Sequence, residues 1–288
     1  MVYVSQFNKR NFGIIVFILS IILISSCNNN SRSDLGDVKI TLKTIPDSME
    51  IPEGKNFAIL VEAENSGDYK TPIYVCVSDT RSPGAIPENG KMCVNDNLEA
   101  ASGTIPSKTK ISFGREFVYS DVDADSISTI TASAEFEYKT SAITNVCIRG
   151  EETNAKDCKI VPLKRTKGPI YVKSINVKNE ILEDTDDLNV DIELEEISDG
   201  SVVGDGLTFD AFLEGSSVQL ECYDNEGGLD GSLLRWDESK TKKVINCITS
   251  QPIKVAINDL YEDNLKVELN YQYKVRVSKT LTIKNRIT

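Results

Sequence analysis

The sequence predicts an all-β chain whose folded part is two tandem β-sandwiches. Three observations carry that expectation. Apolar and polar residues alternate over short runs, turn-forming clusters separate the runs, and one pattern of runs occurs twice. Phe57, Ile59, Val61 and Ala63 alternate with other residues in the first half, as do Val190, Ile192 and Leu194 in the second. Tyr271, Tyr273, Val275 and Val277 alternate with Gln272, Lys274 and Arg276, and Leu281 and Ile283 follow. Period two with β-branched and aromatic residues marks strands with one buried face. Turn chemistry lies between the runs at Asn65-Ser66-Gly67-Asp68, Pro83-Gly84, Glu88-Asn89-Gly90 and Ser198-Asp199-Gly200. No long stretch has an apolar 3.6-residue period.

The first 27 residues stand outside that pattern. Lys9 and Arg10 precede the apolar run Phe12 to Ile24, and Ser25 and Ser26 precede Cys27. Positive charge, a short apolar run and small residues at a cut site describe an export signal. The run is short for a bilayer span, which needs about 20 apolar residues. The ending Ile24-Ser25-Ser26-Cys27 resembles the lipobox of prokaryotic lipoproteins. That resemblance implies a lipidated Cys27 as the first mature residue, tethering the chain to the membrane. An uncleaved signal anchor and a prepilin-type leader cut near Gly13 are the competing readings. All three place the remainder outside the cytoplasm. Residues 28–36 are polar at first, without periodicity, and suit a flexible tether.

The repeat divides the rest. Asn56 to Gly67 lines up with Asn189 to Gly200 at an offset of 133. Phe136-Glu137-Tyr138-Lys139 lines up with Tyr271-Gln272-Tyr273-Lys274 at an offset of 135. Two matches at nearly one offset predict two copies of one domain, 37–166 and 167–288, joined near Lys164 to Pro169. Several short strands in each copy point to a sandwich of immunoglobulin-like type.

Apart from Cys27 the cysteines are Cys76, Cys93, Cys147, Cys158, Cys222 and Cys247. An even set permits several connectivities, and the short intervals of 17, 11 and 25 residues favour pairing of neighbours. Each such bridge stabilises by about 3 kcal/mol through the unfolded state. A zinc site is disfavoured, because no pair has Cys-x-x-Cys spacing and the chain has no histidine. The only tryptophan, Trp236, lies between Cys222 and Cys247, an interval too short for the inter-sheet bridge of antibody domains. A bridge between adjacent strands or across a loop is expected there, with Trp236 as a packing residue.

After residue 26 there are 30 Lys and Arg against 44 Asp and Glu, a net charge of −14. That surface argues against nucleic acid or anionic lipid as a partner. Without histidine, no Ser-His-Asp or Cys-His catalytic set exists. No glycine-rich phosphate loop appears. Carboxylates are abundant, which leaves a glycosidase formally open, but abundance of this kind is ordinary surface solvation. The expectation is a protein that is not an enzyme. The candidate ligand site is calcium at Asp121, Asp123 and Asp125, alternate carboxylates on an expected loop. It lacks the glycine and glutamate of an EF-hand, with Ser126 and Ala132 at those places. Glu183-Asp184-Thr185-Asp186-Asp187 and Asp224-Asn225-Glu226 are further acidic runs.

Each copy ends in a related string. Ala134 to Thr140 leads to Val146-Cys147-Ile148 and then Cys158 and Gly168-Pro169-Ile170. Cys222 and Cys247 precede Val267 to Tyr273, and Ser278 to Ile283 follow. This set resembles uncharacterised membrane-anchored surface proteins of small-genome archaea with tandem immunoglobulin-like domains. The resemblance implies a cell-envelope location and no known catalysis. The expected function is therefore non-enzymatic: adhesion, envelope structure or display, with a protein or glycan partner at the cell surface. An accessory ligand-binding lipoprotein and a filament subunit are the alternatives.

Overall fold

Alternation becomes strand along the whole folded part of the computed structural model. The structure describes residues 38–285 apart from 82–83, 87–89, 151, 153–160, 179–186, 238, 240 and 257–258. The strands of the first half are β1 (Val38–Ile45), β2 (Glu50–Pro52), β3 (Ala58–Asn65), β4 (Thr71–Asp79), β5 (Lys91–Leu98), β6 (Ser107–Ser112), β7 (Ser126–Arg149) and β8 (Lys164–Arg165). Those of the second are β9 (Ile170–Val177), β10 (Asn189–Glu196), β11 (Ser201–Val202), β12 (Leu207–Leu213), β13 (Leu220–Tyr223), β14 (Leu229–Asp230), β15 (Leu233–Leu234), β16 (Lys242–Thr249) and β17 (Leu260–Lys284). The protein is all-β and sandwich-like.

Three sheets hold these strands. One has the order β1-β3-β6 and another the order β13-β16-β10-β9. The third has ten strands along the path β14-β15-β12-β17-β7-β4-β5, with β2, β8 and β11 attached. The small sheets are equivalents: β3 lies between β1 and β6, as β10 lies between β9 and β16. Their inner faces bury Ile59, Val61 and Ala63 in the first repeat and Val190, Ile192 and Leu194 in the second. Opposing faces of the large sheet bury Ile73, Val75 and Val77, and Leu207, Phe209 and Leu213. Removing each such side chain from water contributes roughly 1.5–3 kcal/mol.

The long strands β7 and β17 tie the repeats together. They pair antiparallel from Ser126 opposite Ile283 to Arg149 opposite Leu260. β4 flanks the first half of β7, and β12 flanks the first half of β17. Each repeat's last strand thus runs on beside the other repeat. The expected boundary at 166/167 falls between β8 and β9, and strands from both sides of it build the ten-stranded sheet. At the centre Phe136 faces Tyr273, Glu137 faces Gln272 and Tyr138 faces Tyr271. The repeated motif is paired with its own copy, so a local two-fold relation passes between Glu137 and Gln272.

The repeat also has a packing cause. A Cβ on Gly67 would lie 1.4 Å from the hydroxyl oxygen of Tyr138. A Cβ on Gly200 would lie 2.4 Å from Cε1 of Tyr273. Each copy closes a turn against its strand tyrosine, and only glycine leaves room for the ring. The Tyr138 hydroxyl donates to Asn65 Oδ1 at 3.4 Å, and the Tyr273 hydroxyl reaches the Ser198 carbonyl at 3.4 Å. Asn65 and Ser198 are themselves aligned in the repeat.

Cys76 and Cys93 are bonded across the β4–β5 register, with Cα atoms 4.1 Å apart. Cys222 and Cys247 are bonded across β13–β16, with Cα atoms 4.0 Å apart. Cys147 is also disulfide-bonded. Its expected partner Cys158 lies outside the described residues, as do Cys27 and the whole leader. Disulfides of this kind persist in an oxidising, extracytoplasmic environment. Among the described residues, no helix is long and apolar enough to cross a membrane.

Candidate functional site: a polar groove at the centre of the sheet

Of the acidic run expected to bind calcium, Asp125 engages its carboxylate, and Asp121 and Asp123 engage their backbone carbonyls. Asp125 accepts hydrogen bonds from Lys284 Nζ at 2.8 Å and from the Asn285 backbone N–H at 3.0 Å. The Lys284 hydrogen bond, then that backbone bond, holds its carboxyl below the usual range. The Asn285 amide donates to the Asp123 carbonyl at 2.5 Å, and Arg81 donates to the Asp121 carbonyl at 3.2 Å. Among the described residues, no three acidic or cysteine side chains gather as a metal cage, these three included. Asp125 and the Asp123 carbonyl secure the end of β17 through Lys284 and Asn285. Thermal melts with excess calcium and with chelator are expected to superimpose. A calcium-dependent rise of several degrees would restore the metal reading. Of the second acidic run only Asp187 is among the described residues.

The third run leads to Trp236. A cavity of about 290 Å³ is lined by Glu226, Arg235, Trp236, Asp237, Lys242 and Lys243, with Gly228. The Trp236 indole N–H donates to Glu196 Oε2 at 2.8 Å, and the Tyr273 hydroxyl donates to Glu196 Oε1 at 2.6 Å. Beside it Lys243 pairs with Asp224 at 2.8 Å, both almost fully buried. Lys242 pairs with Glu195 at 3.4 Å. The Lys243–Asp224 pair and the two hydrogen bonds to Glu196 tie this segment down, and Trp236 packs against the core. This is an internal brace.

A more apolar concavity of about 620 Å³ lies elsewhere, against Ala85, Met92, Phe113 and Phe117. A polar groove of about 520 Å³ lies on the outer face of the ten-stranded sheet, beside the local two-fold. Side-chain alternation places Glu137, Lys139, Asn270, Gln272 and Thr208 along it, while Tyr138 and Tyr271 turn their rings to the core. A second hollow of about 200 Å³ shares Pro72, Glu137 and Gln272 with it and continues to Tyr74, Asn95 and Glu135. Tyr74 is 41% exposed.

Charges at both ends of this strip are neutralised within the sheet. Lys274 reaches Glu135 at 2.5 Å. Lys139 and Lys266 share Glu268 at 3.2 and 3.1 Å, and Lys266 also reaches Glu214 at 3.5 Å. Burial pushes the Glu268 carboxyl up, but hydrogen bonds and charge from Lys266 and Lys139 outweigh it and hold the group below its usual range. Between these clusters, the side chains of Glu137, Gln272, Asn270, Thr208 and Asn95 make no hydrogen bond or ion pair with the described residues. The groove therefore presents amide donors and acceptors, a hydroxyl and one carboxylate, with a tyrosine at its end. Sequence reasoning passed over these residues because exposed polar positions of an alternating strand look alike. The signal available was uncharged amides at the middle of the longest strands, where the flanking exposed positions are charged.

No family model matches the chain, and no curated protein matches it. Among solved structures, an Escherichia coli α-2-macroglobulin activated by porcine elastase aligns over 88% of this chain at 6% identity, with a TM-score of 0.19. The chain spans about a fifth (22%) of that protein's length. A structure of Sulfolobus turreted icosahedral virus aligns over 83% of this chain and 90% of its own at 9% identity, with a TM-score of 0.13.

Proposed function

We propose that this chain is a non-enzymatic surface protein, lipid-anchored through Cys27 on the extracytoplasmic face of the membrane. It acts in adhesion, envelope structure or display, and belongs with the archaeal surface proteins that its strand endings resemble. The observation that carries the reading is the pair of strand-to-strand disulfides, downstream of an N-terminal segment whose sequence resembles an export leader ending in a lipobox. Two further features support it. The chain contains no histidine. Of the acids in the central hollow, Glu135 is held by Lys274, so Glu137 has no free carboxylate partner of the kind a glycosidase needs. The groove between the repeats favours a ligand-binding version of this role over a purely structural one.

Intact mass of the membrane-extracted protein, before and after reduction, tests the anchor. The expected mass begins at Cys27, carries lipid and gains six hydrogens on reduction, from the six remaining cysteines. A full-length chain, or one cut near Gly13, would replace the lipoprotein reading with a signal anchor or filament subunit.

A further inference from the structure

We infer that the groove centred on Glu137 and Gln272 is a binding site for a neutral oligosaccharide. The proposal rests on the surface-protein reading and names the ligand class of its central groove. The first argument is volume. Hollows of about 520 and 200 Å³ share the lining residues Pro72, Glu137 and Gln272 and so adjoin along one track, with room together for a few sugar units. The second is chemistry. A sugar hydroxyl is both donor and acceptor, and the matching side chains are amides, hydroxyls and carboxylates. Gln272, Asn270, Asn95, Thr208 and Glu137 supply that set, and none of them is engaged within the described residues. Tyr74, at the end of the track, offers an exposed ring with an apolar body and a polar tip, suited to the C–H face of a sugar.

The third argument is charge. The lysines beside the groove are already paired: Lys139 with Glu268, Lys70 with Glu99, Lys274 with Glu135. Among the described residues, no unpaired cation remains in the lining to hold a sulfate, phosphate or uronate, and the chain as a whole is −12. An acidic polysaccharide is repelled, and a neutral one is not. A peptide strand docks on a sheet through free backbone edges. Here Gln272 and Glu137 already have main-chain acceptors in use, from the Val203 N–H at 2.8 Å and the Thr71 hydroxyl at 2.5 Å.

The test uses the full chain in detergent micelles on an array of neutral and acidic oligosaccharides, followed by titration calorimetry with the best neutral binder. Neutral hexose or N-acetylhexosamine chains are expected to bind, and acidic ones are not. Asn270→Ala/Gln272→Ala is expected to weaken binding by about tenfold or more. Glu137→Gln is expected to have a smaller effect, and Arg276→Ala on the same face none. These positions are exposed, so an unchanged melting temperature certifies each variant as folded. Absence of neutral-glycan binding, binding indifferent to the Asn270/Gln272 change, or preference for acidic chains or peptides would each overturn the proposal. Because binding in micelles does not depend on the lipid, its failure is separable from failure of the anchor reading.

Discussion

Asp224→Ala is expected to destabilise the fold by about 3–5 kcal/mol, the range for breaking a buried ion pair from one side. That corresponds to a fall of roughly 10 °C in the thermal midpoint for a chain of this size. The Asp224 and Lys243 side chains are 3% and 10% exposed and lie 2.8 Å apart. Asp224 also accepts the Glu226 backbone N–H at 3.1 Å, and Lys243 donates to the Arg235 carbonyl at 2.8 Å. The pair thus ties the turn after β13 to β16 and to the segment before Trp236. Removing the carboxylate takes the ion-pair partner from a nearly buried ammonium and leaves it the hydrogen bond to the Arg235 carbonyl. Replacing both partners together, Asp224→Leu with Lys243→Met, is expected to recover more than half of the loss, since no uncompensated charge remains. Urea titrations of wild type, Asp224→Leu, Lys243→Met and the double variant close a double-mutant cycle that measures this. If the double variant is no better than the sum of the singles, the two groups are not acting as a pair.

The pH dependence has a definite sign. Burial pushes the Asp224 carboxyl up, but the Lys243 hydrogen bond, the Glu226 and Gly228 backbone N–H groups and the lysine charge outweigh it and lower it. A group lowered by folding stabilises fully above its unfolded value, about 3.9 for aspartate. That stabilisation is lost as the pH falls through the folded value. The gap between wild type and Asp224→Ala is therefore widest near neutrality and closes in acid. A gap that stays constant down to the lowest folded pH would show that the carboxylate's charge is not what matters.

What was legible in the sequence is what depends on local pattern. Alternation at Phe57–Ala63 and Val190–Leu194 became β3 and β10, because period two leaves only one way to bury one face. Cys76 and Cys93 fall opposite one another because a turn between two strands returns the chain within 17 residues. The Phe136–Lys139 and Tyr271–Lys274 repeat was visible, but its consequence was not. Nothing local says that two copies of a motif will pair with each other, since register between strands more than 100 residues apart is set by the whole core. The fate of Asp121, Asp123 and Asp125 was hidden for the same reason. The partners of Asp123 and Asp125, Lys284 and Asn285, lie some 160 residues away and arrive only when β17 reaches its end. The partner of Asp121, Arg81, comes from just beyond the far end of β4. The groove was illegible because it is defined by what its residues lack. Gln272 and Asn270 are ordinary exposed amides until the ion pairs on either side are known.

Tyr273→Ala is the second change with a large expected effect, about 3–5 kcal/mol from cavity formation alone. Tyr273 is fully buried, packs on Phe136 at 5.9 Å and on Tyr271 at 6.2 Å, and gives its hydroxyl proton to Glu196 at 2.6 Å. Losing it also strips the buried Glu196 carboxylate of one hydrogen-bond donor; the Trp236 indole N–H, at 2.8 Å, is another. Tyr273→Phe separates the terms: it keeps the ring and removes the hydroxyl, with its charge-assisted bond to Glu196 and its contact with the Ser198 carbonyl, at about 1.5–3 kcal/mol. The cooperativity of the loss is the more searching result. Tyr273 belongs to the second repeat by sequence, yet its ring stacks beside Phe136 of the first, on strands paired along their whole length. One repeat cannot melt without pulling the other's last strand from its sheet. Fluorescence of Trp236, the only tryptophan, reports on the second repeat, and far-ultraviolet circular dichroism reports on all strands. The two probes are expected to give one coincident transition in wild type and in Tyr273→Ala, both shifted equally. Two separated transitions would mean that β7 and β17 pair without coupling the repeats, and that each sandwich is held by its own core alone.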